Sequence, residues 1–116
     1  MVPRGRGTIL FTGATASLRG GIGFAAFAAA KSALRAVAQS MARELGPQGV
    51  HVAHVIVDGS IDGVFSRENI PDIDARLERD EILKPDDIAA SYVWLHQQKP
   101  SAWTHELDLR PWKETW

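Results

Sequence analysis

The chain has 116 residues, of which 45% are hydrophobic and 23% charged, with 13 basic against 14 acidic side chains and a net charge of −1. A chain of this length buries roughly 65% of its unfolded surface, enough for one layered domain over residues 1–116 and too little for a cofactor domain plus a substrate domain. The charge balance excludes an overall basic field for nucleic acid or an anionic membrane, and no run approaches the roughly 18 apolar residues of a membrane span. The absence of cysteine excludes thiolate chemistry and disulfides, and fits a reducing cytoplasm.

The leading Met1-Val-Pro-Arg-Gly-Arg-Gly7 is basic with no apolar stretch behind its charges, so it does not read as a signal peptide. Thr8-Ile-Leu-Phe-Thr12, closed by Gly13, is a short β-prone run of the kind buried on both faces. From Phe24 to Leu45, apolar positions Phe27, Leu34, Val37, Ala38, Met41 and Leu45 recur at three- and four-residue steps, predicting a long helix stopped by Gly46-Pro47. Its many alanines predict close packing on more than one side. Val50–Val57, rich in β-branched residues and ended by Asp58-Gly59, predicts a second buried strand. Residues 59–72 read as a loop and 73–83 as a charged amphipathic helix. Pro85-Asp-Asp-Ile88 starts a helix running to about Gln97, because proline at the first position loses no hydrogen bond and the helix dipole favours the two acids. Trp103-Thr-His-Glu-Leu-Asp-Leu109 alternates as a last strand does, and the crowding of Trp103, Trp112 and Trp116 predicts a packed or partner-covered C-terminus. Strand, helix and strand in this order predict a right-handed βαβ unit.

Charge is unevenly divided. Residues 1–57 carry six Arg or Lys against the single acid Glu44, and residues 58–116 carry seven against thirteen. The two halves can attract each other within a fold or between copies, at under about 1 kcal/mol per exposed pair.

The segment Gly7–Val52, with Phe27-Ala-Ala-Ala-Lys31 opening the long helix and Glu44-Leu-Gly-Pro-Gln-Gly-Val-His-Val52 closing it, resembles the C-terminal half of the short-chain dehydrogenase/reductase family. Glu106-Leu-Asp-Leu109 resembles that family's last strand. The resemblance implies an α/β fold, a partial doubly wound (Rossmann-like) parallel sheet of about three strands with flanking helices. It implies NAD or NADP as cofactor and carbonyl or alcohol oxidoreduction as ancestry. It also implies a homo-oligomer paired through the Phe24–Leu45 helix. In the family a Tyr-x-x-x-Lys motif supplies a phenolic proton donor and the lysine that lowers its pKa and contacts the nicotinamide ribose, and a serine about thirteen residues earlier orients the carbonyl.

Here Phe27 stands at the tyrosine position and Ala14 at the serine position, so only Lys31 of the three is kept. The expectation is an enzyme scaffold impaired in its own chemistry, or alternatively a non-catalytic oligomerisation or binding module. Asp58-Gly59 occupies the region of the turn that guides the nicotinamide, which makes Lys31, Asp58 and Gly59 the expected cofactor contacts. The glycine-rich phosphate loop and ribose selector of the family's first half have no counterpart, so Met1 reads as an internal start or a truncated gene and a complete dinucleotide site is not expected from one copy.

Other motifs carry less. Gly21-Ile-Gly23-Phe-Ala-Ala26 imitates a phosphate loop, but Asp58 lies 35 residues beyond Gly23 where about 20 is usual. His51 and His54, three apart on a strand, face opposite sides, and no metal site is expected. The acids of residues 72–87 are interleaved with Arg76, Arg79 and Lys84 as on a solvated helical face. Tyr92, the only tyrosine, reads as a packing residue, while Thr12, Thr15 and Ser17 are hydroxyls close to Ala14 without the family's spacing.

Overall fold

Three parallel strands form one sheet in the order β1 (Gly7–Ala14), β2 (Val50–Val57) and β3 (Glu106–Leu109), in a computed structural model that describes Met1–Trp116. The crossover between β1 and β2 is the 21-residue helix α1 (Ala25–Leu45). Helices α2 (Val64–Asn69), α3 (Ile73–Glu78) and α4 (Pro85–Gln97) lie between β2 and β3. This is the α/β architecture with a partial doubly wound parallel sheet expected above. No helix is long and apolar enough to cross a membrane.

β2 is central and every one of its residues is buried. Its side chains alternate between two layers. Ala53, Val55 and Val57 join Leu83 and Leu95 in the core beneath α4, with Leu10, Ile88, Tyr92, Leu107 and Leu109 packed against it. His54 projects to the other face, toward α1, where Glu106 accepts from its Nδ1 at 3.0 Å and takes two hydrogen bonds from Arg35 at 2.8 Å each. Helix α4 is also pinned to β1 by polar contacts, Thr8 Oγ1 to His96 Nδ1 at 2.8 Å and Thr12 Oγ1 to Tyr92 Oη at 2.6 Å.

Several expectations need correction. The segment read as a loop over 59–72 contains the short helix α2, and the helix expected over 73–83 stops at Glu78, because Asp80 takes a left-handed φ of 55°. Ile82 and Leu83 are instead drawn into the core, where Ile61 bridges Leu83. β3 begins at Glu106, not Trp103; the Trp103 ring stacks on His51 at 4.8 Å. Trp112 and Trp116 are not packed away, being 74% and 82% exposed beneath Lys113 and Arg110. Of the six cations in the first half of the sequence, only Arg35 pairs with an acid of the second half.

The largest correction concerns α1. Its buried residues are the small Ala28 and Ala38, which let the helix lie close on the sheet, with Lys31 and Arg35 on the same side. The larger stripe Phe27, Leu34, Val37 and Met41 lies about a quarter turn away at 100° per residue, leaving Phe27 and Val37 each 48% exposed. One face of α1 is covered within the chain, not two.

Candidate functional site

Parallel α/β sheets bind ligands at the C-terminal ends of their strands, where loops and helix starts converge. At that end a cleft of about 650 Å³ opens between the end of β1, the start of α1 and the turn after β2. Ala14, Phe27 and Gly59 line it together with Thr15, Arg19 and Arg76. Three of the sequence-selected positions therefore meet in one place. Lys31 and Asp58 stand behind the lining, each reaching it through a neighbour.

Lys31 is on the sheet-facing side of α1, one turn beyond Phe27, and its Nζ donates to Thr12 O at 2.9 Å. That contact ties the helix to the last turn of β1 and uses one of three ammonium hydrogens. The same Nζ sits 5.9 Å from the centre of the Phe27 ring, at the outer limit of a cation–π contact. Phe27 in turn tilts against Phe24 at 6.5 Å. The two rings make an apolar lip with no titratable proton.

At Ala14 the strand ends with a backbone N–H that donates to Ser17 Oγ at 3.0 Å. Each hydroxyl near this point is already engaged. Thr12 bonds Tyr92 on the far side of the sheet, Ser17 is buried, and Thr15 donates to Asp58 Oδ1. Thr15 alone of the three lines the cleft. Asp58 is buried and its second oxygen lies 3.4 Å from Arg110. The turn residue Gly59 has φ of +148°, and a Cβ there would meet Pro111 at 2.9 Å, so the backbone at the cleft wall requires glycine.

The sequence reading missed the chain Thr15 to Asp58 to Arg110. Asp58 at a strand end was a visible signal, but the pairing with Arg110, 52 positions later, had none. It also missed the close fit of Gly13 to His54. An added Cβ on Gly13 would stand 2.3 Å from His54 Nε2, so the buried imidazole fills the space beside the residue preceding Ala14.

The comparisons with known proteins agree on one family. A family model described as enoyl-(acyl carrier protein) reductase matches residues 1–106. A short-chain dehydrogenase from Rhodopseudomonas palustris is 49% identical over 97% of this chain, with a TM-score of 0.72. Serine dehydrogenase complexed with NADP+ shares the fold at 21% identity over 100% of the chain, with a TM-score of 0.78. An NADPH-bound short-chain oxidoreductase from Pseudomonas aeruginosa PAO1 with an atypical catalytic centre does so at 18% identity over 92%, with a TM-score of 0.74. The chain spans 42%, 48% and 46% of these three proteins, less than half of each. No curated protein matches it. With the model covering nearly all of its length and a solved relative at close to half identity, this chain belongs to the short-chain dehydrogenase/reductase family.

Proposed function

We propose that residues 1–116 act as one domain, the C-terminal half of an NAD(P)-dependent oxidoreductase scaffold, and that this half is impaired in the hydride chemistry of its family. The observation that carries the reading is the pairing of a retained, anchored Lys31 with a phenyl ring at Phe27 and a methyl group at Ala14, both on the wall of the same cleft. A general acid must present a proton within hydrogen-bond reach of the reacting oxygen, and its loss removes about 10²–10⁴-fold in rate. Of the two hydroxyls that line the cleft, Thr15 has its proton committed to Asp58 and Ser60 stands exposed in the turn after β2.

The cofactor-side roles go to Lys31, Asp58 and Gly59. When bound, the nicotinamide supplies or accepts the hydride. Lys31 keeps two ammonium hydrogens for a ribose hydroxyl after its bond to Thr12 O. Asp58 orients Thr15, and Gly59 allows close backbone approach at the turn. The NADP+ and NADPH held by two of the structural neighbours support a site of this kind on the fold. The absence of cysteine supports a reducing, cytoplasmic setting.

The test restores both oxygens. With a polypeptide carrying the phosphate-binding half of the fold supplied in trans, the F27Y/A14S chain is expected to turn over NADPH with a small carbonyl about 10²–10⁴-fold faster than the parent. Equal rates for the two chains, with NADPH bound by both, sink the reading.

A second reading, an oligomerisation module, is favoured by what one copy leaves uncovered. In the stripe of Phe27, Leu34, Val37 and Met41, Phe27 and Val37 are each 48% exposed while Leu34 and Met41 are half-buried, and β1 pairs with β2 on one edge only. The radius of gyration is 15.9 Å, against about 13 Å for a compact domain of this length. Self-association through α1 then follows from the burial of apolar area and the pairing of a free strand edge. Sedimentation velocity should give a weight-average mass that rises with concentration and falls on V37E substitution. A folded monomer at every concentration removes the assembly reading.

A further inference from the structure

The opposite end of the sheet carries a second depression that the family reading leaves unused. It encloses about 720 Å³ at the N-terminal ends of β1 and β2, so eight-residue strands separate it from the cleft by about 20–25 Å. Its lining contains Arg4, Arg6, His51, His96 and Trp103 and no carboxylate.

The charge is unneutralised. Arg4 and Arg6 have no acidic partner and make no side-chain hydrogen bond, in a chain whose net charge is −1. His96 is held by Thr8 through Nδ1, leaving Nε2 free to face a ligand. His51 is buried and donates from Nε2 to Thr104 O at 2.7 Å, which leaves its buried Nδ1 as an acceptor with no partner. A buried acceptor without a partner costs free energy, and in a depression that two unpaired guanidinium groups also line, the P–OH of a singly protonated phosphate group can supply the missing hydrogen bond.

The floor is rigid. Gly5 and Gly49 both take left-handed φ values, 61° and 83°, and a Cβ on Gly49 would stand 2.1 Å from Gly5 O. The two turns are therefore interlocked backbone to backbone, which fixes Arg4 and Arg6 relative to β2. The Trp103 ring, stacked on His51 with 2° between the planes, forms one wall.

We propose that this depression binds a phosphate group, with Arg4 and Arg6 as its fork donors and His96 as the third. Guanidinium geometry matches a tetrahedral oxyanion through paired N–H donors, and the absence of acids removes the repulsion that would oppose it. The site is independent of the cleft and does not depend on the oxidoreductase reading.

The test is an amide and indole NMR titration of the full chain with inorganic pyrophosphate, against sodium chloride at matched ionic strength. Saturable shifts at Thr8, Gly49, His51 and the Trp103 indole are expected with pyrophosphate alone. R4A/R6A, which removes two exposed side chains without partners, should weaken binding at least about tenfold, because two charge-assisted bonds are lost. R19A, in the distant cleft, should leave it unchanged. Phosphate monoesters should compete with pyrophosphate at this site if a phosphorylated metabolite is the occupant; free phosphate alone should compete if the inorganic ion is. Shifts that follow ionic strength only, that map to the cleft, or that survive R4A/R6A undiminished overturn the proposal.

Discussion

E106A is expected to destabilise the chain by about 2–4 kcal/mol, the largest effect of any single charge removal here, because it strips a buried imidazole and a guanidinium of their shared acceptor. Glu106 is the only acid that links β3 to both β2 and α1, through His54 and Arg35. The Arg35 hydrogen bonds, opposed by desolvation and helped by His54, hold its carboxyl down to about 2 from the ordinary 4.5. A carboxyl with a depressed folded pKa contributes stability that is complete above its unfolded value and is lost as pH falls through the folded one. The contribution is therefore full at neutral pH and disappears between 4.5 and about 2. Because the pair is partly solvated, that contribution is about 1–2 kcal/mol. Urea denaturation at several pH values checks both statements. E106Q should retain much of the neutral-pH stability while losing this acid-limb dependence. An E106A chain within about 0.5 kcal/mol of the parent would contradict the assigned network.

G13A is the second large effect, expected to cost about 1–3 kcal/mol by overpacking. The added methyl would meet His54 Nε2 at 2.3 Å, His54 Cε1 at 2.7 Å and Ser17 Oγ at 2.8 Å. None of these atoms can retreat easily, since His54 is fully buried with Nδ1 fixed by Glu106, and Ser17 accepts the Ala14 amide. The double variant G13A/H54A should recover part of the loss, with a coupling of at least about 1 kcal/mol in the cycle, because the residues are in contact. Additive costs would mean that the imidazole does not fill the notch. The pair also bears on the site. Ala14 follows directly on Gly13, so the strand end that faces the cleft is set by a histidine from the neighbouring strand.

The parts of this molecule that were legible in sequence are those governed by local physics. Val50–Val57 forms a strand at its predicted bounds because a run of β-branched residues has one comfortable environment, the middle of a parallel sheet. Pro85 and the two following acids placed the start of α4 correctly for reasons confined to one helical turn. Ala14 and Phe27 were singled out by the resemblance to the family's Tyr-x-x-x-Lys motif, counted back from Lys31, and both line the cleft. What sequence could not carry was pairing across the fold. The triad of Arg35, His54 and Glu106 joins residues up to 71 positions apart, and Asp58 gave no sign of its partner Arg110. The face of α1 misled for a different reason. Periodicity picks out the large apolar side chains, whereas the sheet in this fold takes the alanines and leaves the large ones for another surface. Residues 64–69 were misassigned because α2 buries little, with Val64 and Phe65 exposed, so no apolar period announces it.

The most direct measurement of the central claim is NADPH consumption by the unmodified chain, with the phosphate-binding half of the fold supplied in trans and NADPH bound, offered a panel of small aldehydes and ketones, with the reverse oxidation of the matching alcohols. A phenyl and a methyl in place of the two oxygens predict rates equal to the protein-free blank in both directions. Turnover above that blank, abolished by K31A, would mean that another group on this chain moves the proton and that the vacancies at Phe27 and Ala14 do not disable it.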